Sequence, residues 1–349
     1  MNRSLIIFGL VALVISGLVL VLSNIKLKSE LNNKLEQNTT EYKDYKPLKP
    51  KQNEPQTVSD AIRRGIKPQS KVTLLELGGF LDSHQNNPLA FATAYDLTSD
   101  SEVLHRALKR WPNSFPLLAR LLTLQIDQPQ QKSTIEAIMN TSPNNSFGFY
   151  AMANFLLKEG KTDDAYALMA EAAKKSPPEY ATTDDMLMRR AAWESTGATS
   201  LDAKLKSLDS DSTTAMENVL LSLTSTANSG KSSLPSKSDQ EMANIQLIGY
   251  FEHIRQSKYR SVQEEAICLS GQLRSFDAID PEMEFGDTGM SVSQYRSKID
   301  FELSSLVKFS AGLNKVFSAM SDAELSAYAD RWLSLGEVSA MRDLMKRIQ

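Results

Sequence analysis

From Phe149 onward, small and large apolar residues return at helical spacing. Phe149, Met152, Ala153 and Leu156 stand at i, i+3, i+4 and i+7, the period that puts side chains on one helix face. The pattern predicts a helix from about Phe147 to Glu159. Gly160 follows, a residue that takes the left-handed conformation cheaply and so ends a helix. Thr162 is then placed as an N-cap, with Asp163 and Asp164 in a first turn where acidic groups favour the helix dipole. A second helix, Asp163 to Ser176, turns Ala165, Leu168, Met169 and Ala172 inward and is stopped by Pro177 and Pro178. The alanines matter because two helices approach closely only where side chains are small.

One hairpin of this kind cannot bury both its faces, so neighbours are required, and the chain supplies them. "ALKRWPNSF" (Ala107 to Phe115) and "MNTSPNNSF" (Met139 to Phe147) both end a helix with proline and enter the next through a similar turn. The closing prolines Pro112, Pro143 and Pro177 lie 31 and 34 residues apart. After Pro177, "DDMLMRRAAWESTG" predicts a further helix, but its partner "LDAKLKSL" is short and lacks the alanine pair. Ser225 to Gln240 is rich in Ser, Gly, Pro and Lys and is assigned as a linker. Beyond it come helical patterns, opened by Ser238 and Glu241 as a capping box and including one helix of about 28 residues from the "SVSQYRSKIDF" stretch. Strand-type alternation is scarce, so the body is predicted all-α.

With Ser146 as first position, the order Phe149, Ala153, Leu156, Gly160, Ala165, Met169, Ala172, Pro177 resembles a tetratricopeptide repeat. The resemblance extends over roughly residues 86 to 210 and implies a short α-solenoid. In that family, partners lie along the concave face made by the first helix of each pair. By resemblance this points to Phe147, Tyr150, Asn154, Leu157 and Lys158 as contacts for a protein or peptide.

The N-terminus has a different pattern. Leu5 to Ser23 is 19 residues without a charge, long enough to span a bilayer as one helix. No small-x-small cleavage site or lipid-attachment cysteine follows, which favours an uncleaved anchor over a secretory signal. Residues 24–71 carry a net charge of +5 and residues 72–349 a net charge of −9. The first of these segments, Lys-rich and punctuated by prolines, is expected to be a tether that cannot bury enough apolar surface to order itself. The organisation expected is a tail (1–4), a transmembrane helix (5–23), the tether (24–71), a repeat domain (72–224), a linker (225–240) and a C-terminal helical domain (241–349). Lysines just after the span argue for a cytoplasmic body, whereas a four-residue tail ahead of a lone anchor argues for an extracytoplasmic, periplasmic one. The latter is taken as the expectation.

Chemistry narrows the reading further. The overall net charge of −3 gives no argument for nucleic-acid binding. Cys268 is the only cysteine, which excludes an intrachain disulfide and four-cysteine metal sites, and His84, His105 and His253 are far apart. Asp280, Glu282, Glu284 and Asp287 do not follow the ligand order of an EF-hand loop and are assigned to a solvated acidic loop. No phosphate loop, dinucleotide glycine pattern, G-x-S-x-G elbow or H-E-x-x-H is present. The alternative enzymatic reading uses Glu194 and Ser195, a dipeptide that resembles the catalytic Glu-Ser of lytic transglycosylases, but the downstream segment of those enzymes is missing. The expectation is therefore a non-catalytic, membrane-anchored scaffold or adaptor with no cofactor and no metal, with self-association through the C-terminal helices as the competing mode of interaction.

Overall fold

The computed structural model describes residues 57–63, 72–180, 182–208, 215–229, 236–286 and 289–348. Sixteen helices and no strand are found among them, so the all-α expectation holds. The apolar run Leu5–Ser23 and the tether up to residue 56 lie outside the described residues. No described helix is long and apolar enough to cross a membrane. The chain divides into two units: the first includes Val307–Leu313, and the second is Pro55–Leu306 with Asn314–Gln349. Of the first, only Val307–Leu313 is described, as part of one long helix. The second unit holds every other described residue.

Two short helices, α1 (Val58–Arg63) and α2 (Gly78–Ser83), precede three helical pairs: α3 (Pro88–Thr98) with α4 (Ser101–Arg110), α5 (Phe115–Leu124) with α6 (Gln131–Thr141), and α7 (Phe147–Lys158) with α8 (Thr162–Ala172). Their starts are written locally. Asn87 caps α3 by accepting from the Leu89 N–H at 3.0 Å, Pro88 fits the first turn, and Asp100 caps α4 through the Glu102 N–H at 2.9 Å. In the α7–α8 pair, Ala153, Ala165, Met169 and Ala172 are fully buried, as their spacing predicts, and Leu156 and Leu168 are half-buried. Burying Met169 alone contributes about 2 kcal/mol. Gly148 has the same role between α6 and α7, since a Cβ there would meet the Met139 side chain at 2.8 Å. The turn before α7 is stitched to the end of its pair: the Asn145 side chain accepts from the Phe147 N–H at 3.0 Å and the Glu179 N–H at 3.1 Å.

Two predicted caps are corrected. Thr162 is the first residue of α8 rather than its N-cap. Gly160, at φ +74°, turns the chain early enough for the Lys161 N–H to reach the Leu156 carbonyl at 2.9 Å. The next helix after the linker begins at Lys237, capped by Ser236 and not Ser238. The Ser236 hydroxyl accepts from the Asp239 N–H at 3.1 Å and donates to its carboxylate at 2.6 Å, so an overlapping serine-acid pair two residues upstream takes the cap.

The faces of α3, α5 and α7 left open by their partners are covered by later helices of the same chain. First, α9 (Thr183–Ser195), paired with α10 (Ser200–Leu208), packs on α2 and α3. Next, α11 (Ala215–Ser229) packs on α5 and α7 and is backed by α13 (Val262–Phe276). Met216, Val219, Leu220 and Leu223 of α11, at i, i+3, i+4 and i+7, join Leu118, Leu122 and Tyr150 in one buried cluster that continues into Phe251, Ile254 and Cys268. Helix thus occupies 225–229 and 237–240 of the stretch assigned as a linker, and one core runs from the helical pairs into α12 (Lys237–Arg255) and α13. Close contact of α12 with α13 rests on Gly271, where a Cβ would lie 2.4 Å from the buried Phe251 ring. Gly271→Ala is expected to cost about 1–3 kcal/mol through overpacking, measured as a lowered unfolding midpoint; an unchanged midpoint refutes the tight fit.

The remainder is α14 (Val292–Ala319), α15 (Asp322–Leu335) and α16 (Glu337–Ile348). Val292, Ile299 and Leu306 are the buried residues of α14, each seven positions from the last. α15 packs on α10, and α16 packs on α13 and α15. Within the segment assigned as tether, α1 docks on α10, with the Val58 N–H donating to Asp202 at 3.0 Å and Arg63 donating to the Met320 carbonyl at 2.9 Å.

Candidate functional site

Where α9, α13, α15 and α16 converge on α3, α5 and α7, the covering is incomplete and a cavity of about 140 Å³ remains. One wall is an ion network. Arg120, a lone charge in the apolar sequence "FPLLARLLTL", donates through Nη2 to Asp96 at 2.9 Å and to Asp185 at 2.8 Å, and Arg189 donates to Asp96 at 2.7 Å. All four side chains are at most 15% exposed. Burial pushes the Asp96 carboxyl up, but the guanidinium groups of Arg120 and Arg189 outweigh it and hold the group below its ordinary range. Asp185 also serves its own helix, because its other oxygen accepts from the Thr182 N–H and hydroxyl, both at 2.8 Å, closing the capping box that starts α9. The network therefore pins the covering helix α9 to α3 and α5.

The rest of the lining is largely acidic and aromatic. Tyr180 donates its hydroxyl to Glu264, whose carboxylate also accepts from the Ser261 N–H at 2.7 Å in the capping box of α13. Burial raises Tyr180 well above the usual phenol range, and the Glu264 charge adds to this. Glu337, first residue of α16, accepts from the Val262 N–H at 3.1 Å. Burial pushes its carboxyl up to about 7; the Val262 N–H opposes the shift and Glu264 adds to it. Phe147, Tyr259 and Trp332 complete this part of the lining.

The residues named by resemblance separate into two groups. Phe147 is buried at the cavity. Tyr150 is fully buried, with its hydroxyl 2.8 Å from His253 Nδ1, and Asn154 is buried with its Oδ1 lacking a hydrogen-bond partner. Leu157 is half-buried, and Lys158 is exposed and paired with Asp127 at 2.7 Å. Glu194 lies apart from the cavity, partly exposed, in an i,i+4 pair with Arg190 at 2.8 Å. Asp280 and Glu282 are exposed, and Asp287 is outside the described residues. No group of three or more His, Cys, Asp or Glu among the described residues is placed to hold a metal ion.

Apart from Phe147, the cavity residues do not stand out in the sequence reading, although two signals exist. Asp96 and Arg120 each interrupt an apolar helix, and an isolated charge in such a context survives burial only with a partner. Comparison of the chain with protein-family models, with curated proteins and with solved structures finds no match.

Proposed function

We propose that this chain is a non-catalytic, membrane-anchored scaffold or adaptor of the cell envelope, whose tetratricopeptide-like helical pairs receive a protein or peptide partner. The observation that carries this reading is the seating of α11: four apolar residues at helix-in-groove spacing lie against α5 and α7, which is how an amphipathic partner helix engages a helical groove. Leu157, half-buried, and Lys158, exposed, stand at the C-terminal end of α7, and we assign the partner contact to them. Leu5–Ser23 supplies the anchor and the basic tether supplies reach, with the body on the periplasmic side.

The sole cysteine makes a direct test. Cys268 is buried, so Lys158→Cys provides one reactive thiol, and Lys132→Cys on α6 provides a control that is at least as exposed. A membrane-impermeant maleimide crosslinker added to intact spheroplasts is expected to give one defined partner adduct from Lys158→Cys and none from Lys132→Cys. Reaction only after the inner membrane is broken overturns the periplasmic placement. Identical adducts from both variants, or none from either, overturn the partner site.

A further inference from the structure

One carboxylate of the cavity, Glu337, has no cationic partner among the described residues. Arg120 and Arg189 are committed to Asp96 and Asp185. Glu264 holds the Tyr180 hydroxyl and the Ser261 N–H. Glu337 faces the same space with a single backbone N–H, and no Lys or Arg among the described residues pairs with it. A partly buried carboxylate beside a second carboxylate, with no cation to answer it, costs free energy in its ionised form. The geometry points to a small primary alkylammonium ion as the ligand of this cavity, with Glu337 as its counter-charge and Trp332 and Phe147 against its alkyl part.

Each feature of the ligand follows from the walls. A metal ion is disfavoured because Glu337 and Glu264 are not joined by a third ligating side chain. An ammonium head brings three donors, which suit the Glu337 carboxylate, whose one other hydrogen-bond donor is the Val262 N–H. A cavity of about 140 Å³ accommodates a small ion of this kind. The raised carboxyl of Glu337 agrees with this, since ligand and proton would compete for it.

The test uses the full chain in detergent micelles, with propylammonium chloride as probe and 1-propanol, potassium chloride and tetramethylammonium chloride as controls. At about pH 8.5, where Glu337 is ionised, propylammonium is expected to raise the unfolding midpoint saturably by a few degrees, and the controls are not. Glu337→Gln retains an acceptor for the Val262 N–H and is expected to lose the shift, with a ligand-free midpoint no lower than that of the wild type. Should that variant fold poorly, the wild type still decides. Calorimetry near pH 7 must show a proton released on binding, and affinity must fall at about pH 5.5. The inference is overturned by any of four results: no saturable shift in the wild type, an undiminished shift in Glu337→Gln, an equal shift with tetramethylammonium, or binding without proton release.

Discussion

Glu265→Ala is expected to destabilise the protein by about 3–5 kcal/mol, the usual cost of leaving buried charges without their partner. Glu265 is fully buried and is held by Arg255 at 3.0 Å, Arg260 at 2.5 Å and Arg342 at 2.7 Å, guanidinium groups from α12, the turn before α13, and α16. Its removal leaves the nearly buried Arg260 with only the Ser257 carbonyl at 2.7 Å, whereas Arg255 keeps Glu252 at 2.8 Å and Glu302 at 2.6 Å. For a body of this size the midpoint of thermal unfolding should fall by on the order of 10 °C. Burial acts to raise the Glu265 carboxyl, but Arg260 and Arg255 prevail and hold it below its ordinary 4.5. A depressed carboxyl stabilises the fold above its unfolded-state pKa, and this contribution is lost as pH falls through the lower folded value. Glu265→Gln should therefore flatten the acid side of the stability profile as well as lower the midpoint at neutral pH. A midpoint within about 1 °C of the wild type for both variants would show that the three arginines find other partners.

Arg120→Ala should cost about 3 kcal/mol, because it leaves Asp96 with Arg189 alone and Asp185 with only its capping contacts. Arg120→Lys should recover part of the loss, since one ammonium cannot reproduce a guanidinium that serves two carboxylates at once. The more telling measurement is a double-mutant cycle with Asp185→Asn. Coupling of about 0.5–3 kcal/mol is expected for residues sharing one network. Strict additivity would mean that α9 is not held over the helical pairs by these charges.

Much of the architecture is legible one segment at a time. The spacing of Phe149, Met152, Ala153 and Leu156, the alanines at 165 and 172, and the left-handed Gly160 all reappear in α7 and α8. The 28-residue helix α14 is also readable from its sequence. Caps are less secure, because Ser236 and Ser238 are each followed three residues later by an acid, and local sequence does not rank two overlapping candidates. Helix α11 is hard to see for a related reason: its apolar residues run directly into the Ser/Asn/Gly-rich stretch assigned as a linker. Tyr150 and Asn154 do lie on a helix face turned away from α8. That this face is covered by α11 and α12 has no local signature.

What the sequence by itself determined is the helical content, the pairing of successive helices and the apolar run at Leu5–Ser23. These follow from hydrogen bonds and side-chain contacts within a turn or two, which periodicity, glycine and proline report directly. Tertiary structure alone decided which helices cover α3, α5 and α7. It also decided that Asp96, Arg120, Glu264 and Glu337, from four different helices, share one cavity. A helix face specifies only that it must be buried, and many apolar stripes in the same chain satisfy that demand; the choice among them is made by how the whole set packs without leaving charge or volume unanswered.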